Sequence, residues 1–503
     1  MSAGDSAQSN SRWTIAGFEH YMLADETQAH PMVFWLKASF LGPTSTSHLT
    51  TALAAAVKRH PLLQATLVGS IFGRAKNLYW DHRHLAPPYL DCDVLGAALR
   101  VPHSATLGFD LAHEPGLRVF VRHDAQHSLW FLEFHHAVTD ATGGMRFFED
   151  LLNYYDAAAA DPPESPRPVD LQTIRPDLLT RRGSFYLSRQ AVRRRRYFDL
   201  WTTFKYYRFR PQPIVSRHPS QGSNLPAVPT HRSICHEFSA PALAALIKVA
   251  RSFGGTLNDL LLRDFFLTLD APQQRHLTKR RIRLCMPMNM RLANDELQSA
   301  ANIMGMSAMD RTGPMLDDAH SLMLGIVAET KVAKQRRTGL ALCFIPDLMG
   351  RLPLLLNIAM RRPLYWKCVA TAILSNLGTS FQARRCRRNA VDQVQVGALT
   401  LERLELLPPC RKHTNIAAGV VTYGGRMTIT FNYDTQALSD ADAKSLLAAY
   451  VQNLSRSIAS MEPESSDRSD SSEEAMRYTL AQLALRAKES ALCRSSQQNI
   501  LPL

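Results

Sequence analysis

The run Phe134-His135-His136-Ala137-Val138-Thr139-Asp140-Ala141-Thr142-Gly143-Gly144 brings two imidazoles and a carboxylate together over a few positions. A histidine takes up and returns protons near neutral pH, and an acid close by fixes a loop or the orientation of a ring. The chemistry on offer is therefore general-base catalysis. With 18 histidines in 503 residues, a His-His-x-x-x-Asp string is not expected by chance. Neighbouring residues at the end of a strand point to opposite sides. One histidine of the pair is thus expected to face a cleft and the other to be packed or hydrogen-bonded. The competing reading is two structural histidines ahead of a turn.

Such a site needs a strand, a loop and a helix to hold it. Ser128 to His135 carries Leu129, Phe131 and Glu133 on one face and Trp130, Leu132 and Phe134 on the other. A strand apolar on both faces belongs in the middle of a sheet, and Leu117 to His123 is its expected partner across a short polar turn. After Gly143-Gly144, the spacing of Phe147, Phe148, Leu151 and Leu152 predicts a helix over Met145 to Tyr155. Ser45 to Arg59 reads as a helix stopped by Pro61. In the second half, Ser239 opens a helix through Arg251, and Gly254-Gly255-Thr256 opens another at Asn258 to Leu269. Arg281 to Met286 alternates like a strand ending at Pro287, and Thr371 to Leu374 is a further short strand. Val420 to Tyr423 and Met427 to Tyr433 form a hairpin around Gly424-Gly425, and Ser439 with Asp442 caps a helix to Ile458.

Helices and strands mix in both halves, so the fold class is α/β (α+β) with two layered domains. The divisions are a disordered start at 1–12, an N-terminal domain at 13–170, a connection at 171–230, a C-terminal domain at 231–460 and an acidic linker and tail at 461–503. A length of 503 residues excludes a lone small module, and 46% hydrophobic with 20% charged residues excludes a wholly disordered chain. Eight scattered cysteines form no CxxC pair and no disulfide framework. Cys410 and His413 stand at metal-ligand spacing without further ligands, and no metal is expected. The stretch Leu340 to Met360 is interrupted by Asp347 and Arg351, which argues against a membrane span. Met1 to Arg12 has no apolar core, so a secretory signal is not expected. The expected location is cytoplasmic, with peripheral attachment to the inner face of a membrane as the variant.

The ordered set of motifs resembles the chloramphenicol acetyltransferase-like superfamily, which includes condensation domains and the wax ester synthase/diacylglycerol acyltransferases. Beside HHxxxD, the matching segments are Arg59-His60-Pro61-Leu62-Leu63, Gly255-Thr256-Leu257-Asn258-Asp259, Pro287-Met288-Asn289-Met290-Arg291 and Ser375-Asn376-Leu377-Gly378. They cover the chain from about Trp13 to Ile458. The resemblance implies two such domains facing each other across a central channel, with a thioester entering from one side and an acceptor from the other. It implies an O-acyltransferase using acyl-CoA, or a phosphopantetheine carrier, as co-substrate with no bound cofactor. A hydroxyl acceptor, lipidic in the fullest form of this reading, is the first expectation. Amine condensation is the second, and a noncatalytic membrane- or partner-binding scaffold is the third.

In the same resemblance His136 is the base, His135 supports the loop, and Asp140 is structural, paired with Arg291 or Arg59. Gly143, Asn289, Ser375, Asn376 and Gly378 are the implied substrate contacts, the last three lining an oxyanion site. The family's glycine after the motif aspartate is replaced by Ala141, whose methyl restricts positive φ and close approach of a pantetheine arm.

The net charge of +14 has an address. Residues 181–217 hold eleven Lys or Arg against Asp199, residues 351–391 hold eight and no acid, and 462–474 hold six acids against Arg468. In the first block Tyr197, Trp201, Phe204 and Arg208 share a helical face, which suits an anionic membrane surface. A solvated face packed on its own domain is the alternative. Nucleic acid ranks last as a partner, for want of a nucleic-acid motif.

Overall fold

The computed structural model describes residues 12–69, 78–82, 87–100, 108–160, 179–180, 182, 200–202, 204, 206, 208, 210–216, 231–271, 281–292, 299–343, 367–381 and 386–460. The expected disordered start before Arg12, most of the 171–230 connection, Leu354 to Leu356, Tyr365-Trp366 and the 461–503 tail lie outside these residues. In chain order the N-terminal half forms β1 (Arg12–Thr14), α1 (Gly17–Asp25), β2 (Val33–Leu41), α2 (Thr46–Lys58), β3 (Thr66–Val68), β4 (Tyr79–Asp81), β5 (Tyr89–Val94), β6 (Leu117–His123), β7 (His127–His135) and α3 (Ala141–Ala159). The C-terminal half forms β8 (His231–Phe238), α4 (Ala240–Ser252), α5 (Leu257–Asp270), β9 (Arg281–Asn289), β10 (Met304–Thr312), α6 (Ala319–Arg336), β11 (Ala372–Thr379), β12 (Gln395–Val396), β13 (Leu399–Leu407), β14 (Ile416–Tyr423), β15 (Arg426–Asp434) and α7 (Asp440–Ala459).

Each half is built on a six-stranded sheet, in the orders β12-β13-β2-β7-β6-β5 and β10-β9-β11-β14-β15-β8. β7 lies between β2 and β6, antiparallel to both. Its Trp130 and Phe134 are fully buried and meet Tyr155 and Phe147 of α3 edge-on, with ring centroids 5.4 and 6.0 Å apart. In the second core Phe265 of α5 meets Phe431 of β15 and Tyr450 of α7 at 5.5 and 5.0 Å. Among the described residues no helix is long and apolar enough to cross a membrane.

Several element boundaries differ from the sequence expectation, among them the start of β14 at Ile416 rather than Val420. α3 starts at Ala141, because Asp140 Oδ1 accepts the Gly143 N–H at 2.8 Å and caps the helix, drawing both glycines into its first turn. β9 runs through Pro287 to Asn289: its other neighbour β11 pairs only with Leu284 and Cys285, so beyond them Pro287 sits on a strand paired on one side, where a missing N–H is tolerated. β11 continues from Ala372 to Thr379 alongside β14, with a register shift after Asn376 and Gly378 at φ +71°. The polar Ser375-Asn376 pair conceals that continuation in the sequence.

The division into 13–170 and 231–460 follows chain order, whereas the sheets do not. β13 pairs with β2 from Thr400↔Leu41 to Leu407↔Trp35, so the C-terminal half completes the N-terminal sheet. Where the chain returns as β14, a Cβ on Gly419 would stand 2.0 Å from the Leu406 carbonyl oxygen. Only a glycine permits strands of the two sheets to approach so closely. Gly419→Ala is expected to lower stability by about 1–3 kcal/mol, as overpacking does. Gly325→Ala on α6, where nothing lies within 4 Å of the new methyl, is expected to be neutral or stabilising by up to about 1 kcal/mol. Thermal denaturation of the two variants checks both, and an unchanged Tm for Gly419→Ala would contradict the close approach.

Candidate active site

The histidine pair leaves the end of β7 with its two rings on opposite sides. His135 is fully buried, its Nδ1 accepts the Ala137 N–H at 3.1 Å, and its Nε2 lies 3.0 Å from Glu26 Oε2. Because Nδ1 accepts, the ring proton sits on Nε2 and is donated to Glu26. Burial alone would raise the Glu26 carboxyl, but the His135 ring beside it and the Met32 N–H bring it below its usual value. His135 is thus fully engaged. The other ring has more latitude. His136 lies edge-on to Phe34 with centroids 5.2 Å apart, and among the described residues no side chain is hydrogen-bonded to either of its ring nitrogens. Its backbone is held instead, the N–H donating to Met32 O at 2.7 Å and the carbonyl accepting from Asn302 Nδ2 at 2.6 Å. Burial pushes the His136 pKa down, against the opposing pull of its own carbonyl and Asp140, which favours a neutral imidazole able to accept a proton.

Asp140 accepts three hydrogen bonds, none of them from the His136 ring. One oxygen caps α3, and the other accepts from Arg291 Nη1 and the Ile303 N–H, each at 2.8 Å. Arg291, not Arg59, is therefore its cationic partner. Arg59 lies on a separate network, donating to Asp150 Oδ2 at 2.9 Å beside the fully buried His60. His60 accepts the Ala300 N–H on Nδ1 at 2.8 Å and meets Asp150 through Nε2 at 3.1 Å. Burial would raise the Asp150 carboxyl, yet His60 and Arg59 together pull it to about 2. Two residues before the pair, Glu133 is pushed up to about 7 by burial despite its contact with Arg118 at 3.2 Å.

The remaining sequence candidates have different environments. Gly143 is buried, and a Cβ there would meet Thr139 Oγ1 at 2.3 Å and the Ala301 N at 3.0 Å. Close approach of Thr139 in the same loop and of Ala301 in the other half leaves no room for a side chain at this position. Asn289 is exposed and forms a turn, its Oδ1 accepting from the Arg291 N–H at 3.0 Å and so presenting Arg291 to Asp140. Asn376 Oδ1 accepts the Gly378 N–H at 2.8 Å, and its Nδ2 reaches Asn258 Oδ1 at 3.4 Å. The Gly378 N–H is consequently engaged, while the nearly buried Ser375 makes no side-chain hydrogen bond among the described residues. Leu377 between them packs on the core cluster that contains Ala137 and Val138. Ala141 is the first residue of α3 and has no positive φ, so the methyl that replaces glycine there is accommodated without backbone strain.

Sequence reasoning missed Ser299 to Ile303. Ala300, Ala301, Asn302 and Ile303 each bond the N-terminal half, at His60, Asp140, His136 and Asp140 respectively. The signal available was a run of small residues with a single asparagine, Ser-Ala-Ala-Asn, just before β10. Such a run carries no periodicity and no titratable group. A cavity of about 80 Å³ also lies between the halves, walled by Phe18 and Tyr21 of α1, Tyr206, Cys285, Met306 and Ile373 among others. Arg411, paired with Asp25, is part of its polar wall, and burial pushes the Cys285 thiol up to about 11.

Replacing Arg291 by alanine leaves a buried carboxylate short of its ion-pair partner at the junction of the halves. Arg291→Ala is expected to cost about 3–5 kcal/mol, with Arg291→Lys recovering part of it. Chemical denaturation measures the difference, and a loss below 1 kcal/mol, the range of an exposed pair, would show that the pair does not hold the junction.

No family model and no curated protein matches the chain. Solved structures do. A starter condensation domain of rhizomide synthetase in complex with C8-CoA aligns over 91% of this chain and 97% of its own, at TM-score 0.61 and 13% identity. The first condensation domain of the calcium-dependent antibiotic synthetase, in complex with a substrate analogue, aligns over 90% and 97% at TM-score 0.60 and 15% identity. The condensation domain of the Monacolin K polyketide synthase gives 90% and 98% at TM-score 0.59 and 12% identity. Nine-tenths of the chain, both sheets included, thus has the two-lobed chloramphenicol acetyltransferase-like fold of condensation domains.

Proposed function

We propose that the protein transfers an acyl group from a coenzyme A thioester to a hydroxyl acceptor, with His136 as general base. The observation that carries this reading is the contrast within the motif: His135 and Asp140 are hydrogen-bonded to other side chains, while among the described residues no side chain is hydrogen-bonded to the His136 ring, whose pKa burial lowers. The acceptor O–H attacks the thioester carbonyl as His136 takes its proton. The tetrahedral intermediate then expels the thiolate, which leaves with the proton returned by the imidazolium. No acyl-enzyme forms. Ser375, whose hydroxyl makes no hydrogen bond among the described residues, is the donor to the developing oxyanion from the second lobe. A related starter condensation domain bound to C8-CoA supports a thioester donor. The same relative bound to C8-CoA together with Leu-SNAC gives the amine acceptor its standing as a second reading. A pantetheinyl carrier can present the same thioester as coenzyme A does.

The test is thiol release from octanoyl-CoA with alcohol and amine acceptors, with the product identified by mass. An ester supports the first reading and an amide the second. His136→Ala is expected to lower kcat/KM by about 10²–10⁴-fold, and an unchanged rate would remove it as the base. Because burial lowers the His136 pKa, the basic form persists to more acid pH than for an ordinary histidine. The acid limb of kcat/KM against pH should fall only below about 6.5, whereas an inflection above that value would contradict a buried neutral base.

A further inference from the structure

We propose that Asn302 is a positioning residue for His136, its side-chain amide fixing the carbonyl against which the imidazole is set. Asn302 is 3% exposed, and its Nδ2 donates to His136 O at 2.6 Å. Because that partner is a carbonyl, only the amide nitrogen can face it, which settles how the side chain is turned. The backbone on either side of Asn302 is pinned around Asp140. Ala301 O accepts from the Asp140 N–H at 3.3 Å and from Arg291 Nη2 at 2.9 Å, and the Ile303 N–H donates to Asp140 Oδ2 at 2.8 Å. The His136 N–H in turn donates to Met32 O at 2.7 Å. The backbone of the base is thereby held from both lobes.

Packing alone does not account for an asparagine here. Its Oδ1 is buried and accepts no hydrogen bond among the described residues. An unpaired buried oxygen costs stability that an apolar side chain of similar size would not. What the amide adds is the bond to the His136 carbonyl.

That carbonyl acts on the ring. A histidine ring reaches its own carbonyl only through Nδ1, the nitrogen nearer the backbone, and Nδ1 of His136 is out of contact with solvent. The His136 carbonyl favours a protonated ring, as the Thr139 carbonyl and Asp140 do, while His135 opposes them. Arg291 of the second lobe is bound to Asp140, and β2 presents Phe34. An amide donating to the same carbonyl oxygen fixes its direction and shares its lone-pair density. The neutral ring then keeps its proton on Nδ1 and its lone pair on Nε2, and the carbonyl's pull toward the imidazolium is weakened. The catalytic use of that lone pair rests on the acyl-transfer reading, in which Nε2 takes the acceptor proton. The setting of the ring does not.

Histidine-selective ¹⁵N labelling of the full-length protein, with His136→Ala to assign the signals, reads the ring without substrate. The wild type is expected to show the Nδ1–H tautomer. In Asn302→Leu, similar in size but without a donor, the tautomers should mix and the ring should titrate about 0.5–1 pH unit higher, because the released carbonyl favours the imidazolium more strongly. With octanoyl-CoA the same variant is expected to lose kcat by about 10–100-fold at unchanged KM, the acid limb moving up with the ring. Asn302→Asp, which keeps the shape but as a carboxylate cannot donate, should shift the titration in the same direction and serves if the leucine variant fails to fold. A folded variant with the wild-type tautomer and titration would overturn the proposal, whatever its turnover. A shifted titration in a protein that releases no thiol with any acceptor would uphold the positioning and remove the acyl-transfer reading instead.

Discussion

Asp140 is a carboxylate removed from water, and a buried carboxylate persists only where donors replace its hydration. Those donors come from both ends of the molecule. The Gly143 N–H belongs to its own helix, whereas Arg291 and the Ile303 N–H arrive from the second lobe. Once that carboxylate is seated, Ala301 and Asn302 fall against the same loop, and Asn302 reaches the carbonyl of His136. The backbone of His136 is thus held by a residue of the other lobe. Gly143, too small to hold Ala301 off, is part of the same arrangement.

The motif aspartate spends its hydrogen bonds on its own helix and on the second lobe, and the His136 imidazole packs on Phe34. The ring's basicity is set by burial, and its position by two backbone hydrogen bonds. Likewise His60, Asp150 and Arg59 form a buried network whose partner across the junction is the Ala300 N–H. Two separate histidine-containing clusters of the first lobe are thereby tied to four consecutive residues of the second.

Much of this was legible in the sequence because it is local. The helix cap at Ser439, the hairpin at Gly424-Gly425 and the double-faced strand ending in His135 are read from spacing within a few residues, and they stand where expected. What was not legible is contact between distant segments. Whether Arg291 or Arg59 would meet Asp140 depends on lobe docking, and so do the turn at Asn289 and the tight packing around Gly143. The basic residues were also only partly a surface property. Arg182 is buried against Glu19 at 2.6 and 2.9 Å, and Arg387 is paired with Asp156. Composition alone does not show which arginines are paired in this way.

The crossing of β13 into the first sheet has a consequence for how the chain is made. Strand β2 is complete early, but its neighbour on one side is supplied by residues 399–407. Until they emerge from the ribosome, Val33 to Leu41 presents an open, largely apolar edge able to pair with the wrong chain. Because the N-terminal half cannot finish alone, folding domain by domain during synthesis is denied to this molecule. Late pairing over so long a sequence separation makes for slow maturation and a nascent chain that depends on being kept apart from its own copies.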